Sequence, residues 1–227
     1  MASMNPNFSA RETAYQRLRS RIIGLDLKPN DVLNDKELEQ QMGMSRTPIR
    51  EAIIMLCLDH LVVVRPQSGT YVAPIDADKV EVEQYSRYIL EKEMAVLACG
   101  CASPEHRRSY EENIHLYRFY GGSHAPDREQ RMLDLDNEFH RITFAINRKE
   151  ACYNWMQSLF QHIERIRILS LRMGLEAPLA EDHEQIAGAI LAGDQRQAVQ
   201  WLERHLTRYQ DDILIMREKF PHYFKAE

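Results

Sequence analysis

Two short β-type runs, Leu61-Val62-Val63-Val64-Arg65 and Thr70-Tyr71-Val72-Ala73, interrupt a chain whose other long segments all read as helix. Pro66-Gln67-Ser68-Gly69 separates them, and that composition signals a hairpin turn. Ahead of the hairpin, Tyr15, Leu18, Ile22 and Leu25 recur at three- and four-residue steps, which predicts a helix from Phe8 to Leu25. Lys28-Pro29-Asn30 breaks it. A shorter helix is expected from about Asp35 to Met42, ending at Gly43, a residue suited to a left-handed helix exit. Ser45 reads as the N-cap of a third helix that tolerates Pro48 in its first turn, and Ile49, Ala52, Ile53 and Leu56 form its apolar stripe. Three helices and a hairpin in this order outline a winged helix-turn-helix.

The remainder predicts a different architecture. Beyond the compact linker Pro74-Ile75-Asp76, helical periodicity runs through about 77–102, 105–120, 127–147, 150–173, 179–192 and 195–218, with breaks at Ser103-Pro104, Gly121-Gly122, Asn147, Gly174 and Gly193-Asp194. The expected fold is mostly α: a winged helix-turn-helix over residues 1–73, a linker over 74–76, and an all-helical bundle over 77–227.

Hydrophobic residues make up 44% of the chain and charged residues 28%, a globular balance. No apolar run approaches the roughly 18 residues of a membrane span. The start, Met1-Ala2-Ser3-Met4, lacks the basic and apolar regions of a secretory signal, so a cytoplasmic location without membrane association is expected. Cys57, Cys99, Cys101 and Cys152 have no disulfide-framework spacing and read as small buried thiols. The net charge of -5 is unevenly spread: residues 1–73 hold 9 Lys/Arg against 8 Asp/Glu, and the rest 20 against 26. Affinity for DNA depends on where the cations sit, so an acidic second domain does not exclude it.

A helix that enters the major groove needs donors near its N-terminus and an apolar rear face. Gly43-Met44-Ser45-Arg46-Thr47-Pro48-Ile49-Arg50-Glu51-Ala52 supplies both. Arg46 and Arg50 lie one turn apart outside the apolar stripe, where guanidinium forks reach guanine edges or phosphates. Ser45, Thr47 and the free amides of the helix start suit phosphate oxygens. Lys36 can grip the flanking backbone, and Gly69 lets the hairpin tip approach the minor groove. Taken alone, the two arginines read more readily as a solvated face with Arg50 paired locally.

From Leu33 to Ala73 the chain resembles the winged helix of the GntR family of transcription regulators: Glu37-Leu38, Gly43, Ser45 to Ala52, Leu56, Leu61-Val62 and Gly69-Thr70-Tyr71-Val72. The resemblance implies binding to a double-stranded DNA operator, with Lys36, Arg46, Thr47, Arg50 and Gly69 at the family's contact positions. Two departures stand out. Asp59-His60 occupies the place where the family usually has a glycine before Leu61, and Lys36 replaces a common arginine.

Eight of the nine histidines lie after residue 73. Several ionisable residues fall on apolar stripes, where an unpaired polar group is costly. Asp136 lies in line with Met132, Phe139 and Thr143, and His140 follows one turn later. His183 lies with Leu179, Ile186 and Ile190, and His205 with Ala198, Leu202, Tyr209 and Ile213. Three imidazoles and a carboxylate form a ligand set for Zn²⁺, Ni²⁺ or Mn²⁺ that leaves coordination open. Each histidine alone reads more readily as a hydrogen-bonded core residue, and His162 lies on a similar stripe with Trp155, Leu159, Ile166 and Leu169. The segments Asp136 to His140, His183 to Ile186 and His205-Leu206 are similar to the FCD effector domain of the FadR subfamily, whose metal-binding members hold the ion with one Asp and three His at these places. Arg87-Tyr88-Ile89-Leu90-Glu91 resembles the motif whose arginine pairs with an organic-acid effector in that family; a pairing with Glu91 is the alternative.

The reading is a ligand-responsive regulator, more in keeping with a repressor than an activator and not an enzyme. It is expected to act as a homodimer on two half-sites and to sense a small carboxylate through a metal-containing pocket. A pure metal sensor is one alternative. A metal-dependent hydrolase is another, with only Glu138 and Glu184 on offer as a general base and no H-E-x-x-H motif.

Overall fold

The computed structural model describes residues 9–176 and 178–226. Phe8 and the first four residues lie outside that range. The chain divides into two compact units: residues up to Ala77 together with the segment from Phe220, and Asp78–Lys219.

In the first unit, α1 (Ala10–Ile23) starts at a capping box in which Ser9 accepts from the Glu12 amide and Glu12 returns to the Ser9 backbone. α2 (Asp35–Met42) is capped by Asn34 and exits through Gly43 at φ 64, and α3 (Arg46–Leu58) follows directly. Ile49, Ala52 and Leu56 of α3 are fully buried, as are Ala14, Leu18 and Ile22 of α1. The two helices pack together, and the apolar stripes are what hold them. β1 (Val62–Arg65) pairs antiparallel with β2 (Gly69–Val72), with Arg65 opposite Gly69, and Val32 adds an isolated bridge to Tyr71.

The position of His60 accounts for the glycine expected there. Its φ is 59, in the left-handed region, as α3 turns into β1. A side chain with a Cβ costs about 1 kcal/mol or more in that conformation. His60→Gly is therefore expected to raise the melting temperature by about 2–4 °C, measured by calorimetry; an unchanged or lower value would mean that the imidazole makes up the difference.

The C-terminal segment departs from the sequence-derived boundary, which placed all of 77–227 in the second domain. A 3-10 turn at Pro221–Tyr223 leads into Phe224, which bridges Ile75 in parallel. The Ile75 amide donates to Tyr223 O at 2.8 Å, and the Lys225 amide to Ile75 O at 2.9 Å. Tyr223 and Phe224 are buried there. Nothing in the local pattern of eight residues reports a pairing so distant in sequence.

The second unit is helical throughout its described residues: α4 (Ala77–Ala98, whose first residue still groups with the first unit), α5 (Pro104–Gly121), α6 (Arg128–Ile146), α7 (Glu150–Gln157), α8 (His162–Met173), α9 (Leu179–Ala192), α10 (Gln195–Thr207) and α11 (Tyr209–Lys219). Tyr110 and Ile114 of α5, Phe139 and Ile142 of α6, Ile186 and Ile190 of α9, and Leu202 and Leu206 of α10 build its core. Two predicted long helices are each broken in two. The stretch 150–173 is interrupted after Gln157, and the Glu83 carboxylate of α4 caps the new start by accepting from the His162 and Ile163 amides. The stretch 195–218 is interrupted at Arg208, where the Thr207 hydroxyl bonds back to Glu203 O and Arg204 O. Tyr209 and Ile213 are consequently half-buried, and Met216 is the buried residue of α11. Cys101 is exposed and the other three cysteines are half-buried, so none is the fully buried thiol expected.

Candidate metal centre and DNA interface

Asp136 and His140 stand one turn apart on α6, His183 comes from α9 and His205 from α10. All four are buried, and one ligand atom from each falls within 4.8 Å of the others. Asp136 Oδ1 lies 3.1 Å from His183 Nε2 and 3.9 Å from His205 Nε2, while Oδ2 lies 3.7 Å from His140 Nε2. His140 Nε2 and His205 Nε2 face each other at 3.1 Å. Donor atoms around a tetrahedral ion with bonds of about 2.0–2.2 Å stand roughly 3.3–3.6 Å apart. Ångström-scale side-chain shifts bring the four to that spacing.

Neighbouring groups set the protonation that ligation needs. Glu91 accepts from His140 Nδ1 at 2.6 Å, which places the ring proton on Nδ1 and leaves the Nε2 lone pair facing the cluster. Burial works against the Glu91 carboxylate, but Arg87 and then His140 hold it ionised, with its pKa lowered to about 2. Burial lowers the His140 imidazole to about 3 and also lowers His183, so both rings are neutral. Arg167 and then the neighbouring imidazoles keep Asp136 well below the usual carboxylate range against the effect of burial. Asp182 stands 3.7 Å from His205 Nδ1.

His183 supplies the clearest test of fit. Its ring is fully buried and stacked on Phe139 at 3.9 Å, yet Nδ1 has no hydrogen-bond partner and Nε2, although 3.1 Å from Asp136 Oδ1, is not aligned for a good hydrogen bond to it. Leaving such atoms unsatisfied costs roughly 1–3 kcal/mol each. An ion among the four residues would satisfy the nitrogen aimed at Asp136, so the residues present fit a divalent metal. His162 is separate from this set: its Nδ1 lies 2.8 Å from Arg165.

Beside the cluster lies a cavity of about 60 Å³, lined among others by Arg87, Asp136, Arg167, Ser170, His205 and Arg208. Arg87 is buried and its Nε donates to Glu91 at 2.6 Å, with a second nitrogen 3.8 Å from Asp136. It therefore faces the cavity and pairs with Glu91 at once. Arg167, which the sequence reading missed, donates to Asp136 and, at 2.7 Å, to Asn137 Oδ1. Its one signal was the four-residue step from Ile163, hidden because the stripe through Ile166 and Leu169 suggested another face. Glu138 pairs with Arg141 and Glu184 with Arg118, and neither lines the cavity, so neither stands where a general base would act.

In the first unit, Arg46 and Arg50 project from α3 on the flank away from its buried stripe and are exposed. Both are engaged by acids of α2: Arg46 Nε donates to Glu39 at 2.7 Å, and Arg50 Nε to Asp35 at 2.8 Å. Ser45 is the N-cap of α3, but its side chain makes no capping bond. Lys36 and Thr47 are exposed, and Gly69 has φ 131 at the hairpin tip, a conformation that essentially only glycine adopts. The sequence reading passed over Arg65, an exposed cation at the base of that turn.

A winged helix followed by a buried Asp/His cluster in a helical bundle defines a class of DNA-binding regulator. Comparison with known proteins gives the family. Residues 10–72 match the family described as "Bacterial regulatory proteins, gntR family", and residues 85–208 match the FCD domain. The chain is 25% identical to the HTH-type transcriptional repressor RspR of Escherichia coli K12 over 227 residues, covering 99% of this chain and 97% of the relative. In fold it resembles E. coli McbR/YncC (TM-score 0.72, 18% identity, 94% and 99% of the two chains) and a GntR regulator of Rhodococcus sp. RHA1 (TM-score 0.73, 20% identity, 91% and 98%). The chain belongs to the GntR family, with the FCD effector domain that marks the FadR subfamily, and is a DNA-binding transcription regulator. Among the described residues no helix is long and apolar enough to cross a membrane.

Proposed function

We propose that the second unit takes up one divalent transition metal, Zn²⁺, Ni²⁺ or Mn²⁺, through Asp136, His140, His183 and His205, and senses a small carboxylate in the adjoining cavity. The chain would act as a homodimer on a two-half-site operator, as a repressor. The observation that carries the reading is the buried cluster itself: three imidazoles, two of them held neutral by burial, around one ionised carboxylate. A bound metal supplies a Lewis-acidic centre with open coordination for an anionic ligand. Arg87 and Arg167 add cationic donors at the same cavity. Lys36, Ser45, Arg46, Thr47, Arg50 and Gly69 are the proposed contacts to DNA. Sensing of metal alone is a second reading, favoured by one contact: the Arg87 guanidinium is already paired with Glu91.

The test uses a duplex selected from a random pool by the wild-type chain, with affinity measured at fixed salt. Zn²⁺ together with a panel of small carboxylates is expected to change the Kd about 5- to 150-fold, the ordinary range of allosteric coupling. A response to chelation but to no carboxylate selects metal sensing. No response to either overturns both readings. Sedimentation at micromolar protein that gives a concentration-independent monomer would remove the dimer.

A further inference from the structure

Asn30 occupies a junction that neither the helix-turn-helix nor the metal cluster explains. Its backbone is left-handed, φ 70, and its amide donates to Val72 O in β2 at 3.0 Å. Its side chain is bonded at both ends. Nδ2 donates to His222 O of the C-terminal segment at 2.8 Å, and Oδ1 accepts from an Arg65 guanidinium nitrogen at 3.0 Å. Arg65 in turn lies over the Tyr71 ring at 4.5 Å, and the Tyr71 hydroxyl donates to Ser68 O at 3.0 Å within the turn. One connected path thus runs from the C-terminal segment through Asn30 to Arg65 and the tip of the wing.

Arg65 differs from the two recognition-helix arginines. Arg46 and Arg50 are paired with carboxylates, whereas no carboxylate among the described residues pairs with Arg65. A neutral amide oxygen and an aromatic face orient its guanidinium and leave the full positive charge available. An oriented, exposed and uncompensated cation beside the glycine tip of a wing suits the DNA phosphate backbone.

We propose that Arg65 is a DNA-phosphate contact of the wing and that Asn30, anchored by the C-terminal segment, is its positioning residue. Because that segment continues directly from α11, support for the wing comes from a stretch of chain that has already passed through the second unit. The proposal rests on DNA binding by the first unit and is independent of the metal.

A double-mutant cycle in the full chain tests it, with Kd for the selected duplex measured across salt concentrations. Arg65→Ala is expected to weaken binding about tenfold and to reduce the salt slope by about one per head. Asn30→Gly keeps the left-handed backbone accessible and deletes both side-chain bonds. It should produce most of the same loss and the same change of slope, while the double variant binds no more weakly than Arg65→Ala alone. Additive losses would mean that the Asn30 side chain acts independently of Arg65, which overturns the positioning role. Wild-type affinity and slope in Arg65→Ala overturn the contact. A chain ending at Phe220 should share the lowered slope and gain no further loss from Asn30→Gly; wild-type slope in a truncated chain of unchanged melting temperature overturns the role of the segment. If that truncation does not fold, the cycle in the full chain decides. Loss of binding in Arg46→Ala with a normal Arg65 cycle would separate the recognition-helix reading from this one.

Discussion

Arg46→Ala with Arg50→Ala is expected to abolish specific operator binding and leave the fold intact. A bidentate contact to a base is worth about 1–3 kcal/mol, roughly 5- to 150-fold in affinity, and two are lost per head. In the free protein both guanidinium groups are held by Glu39 and Asp35 at 2.7 and 2.8 Å. Exposed ion pairs of this kind contribute about 0–1 kcal/mol, so exchanging them for DNA is favourable whenever the base contact forms. The substitution acts twice, since it removes the donors and leaves two carboxylates of α2 facing the phosphate backbone. Glu39→Gln and Asp35→Asn added to the alanine pair should therefore recover part of the non-specific affinity and none of the specificity. The checks are footprinting and a thermal melt. An unchanged footprint in the double alanine variant would remove α3 as the recognition helix.

The second large effect concerns the metal. Protein prepared without chelator or a nickel column is expected to carry close to one divalent transition metal per chain by elemental analysis. Removing it should lower the melting temperature. An ion present at a hundredfold excess over its dissociation constant stabilises by about 2.7 kcal/mol, equivalent to roughly 5–10 °C in a chain of this length. His183→Ala should eliminate the uptake, because it deletes a donor and leaves Asp136 and two imidazoles in a site with one side open. It also removes a ring stacked on Phe139, so part of its destabilisation is lost packing. Asp136→Asn, of nearly equal volume, separates the two effects: metal content should fall while the stacking remains. Operator binding by the metal-free variants should persist, because the proposed DNA contacts lie in the other unit. Wild-type protein that holds no metal, and takes up none from micromolar Zn²⁺, Ni²⁺ or Mn²⁺, would falsify the assignment. The cluster would then be a polar pocket.

Local pattern was enough for the helices and hairpin of the first unit, and it placed Asp136, His140, His183 and His205 on apolar stripes; setting them apart from His162 took the resemblance to the FCD domain. Ile49, Ala52, Ile53 and Leu56 repeat at helical spacing because one face of α3 must leave water, and that periodicity is visible in the chain itself. His183 and His205 declared themselves in the same way, as imidazoles on otherwise apolar stripes. The turn at Gly43 and the hairpin tip at Gly69 were legible because their backbone angles favour glycine.

What tertiary structure decided are the partners. The stretch 150–173 reads as one helix, and it is the Glu83 carboxylate, 79 residues before His162, that gives α8 its separate start. Arg46 and Arg50 were predicted as exposed cations, but only the packing of α2 against α3 sets which acids hold them. Arg167 reaches Asp136 from a helix whose strongest apolar stripe pointed elsewhere. The C-terminal residues from Phe220 belong with the first unit through backbone bonds to Ile75, and backbone pairing carries no side-chain signature. Periodicity reports which face of an element leaves water, because burial acts on each residue by itself. Hydrogen bonds and ion pairs are properties of two groups at a distance of a few ångströms, so they become definite only once the chain has brought both to the same place.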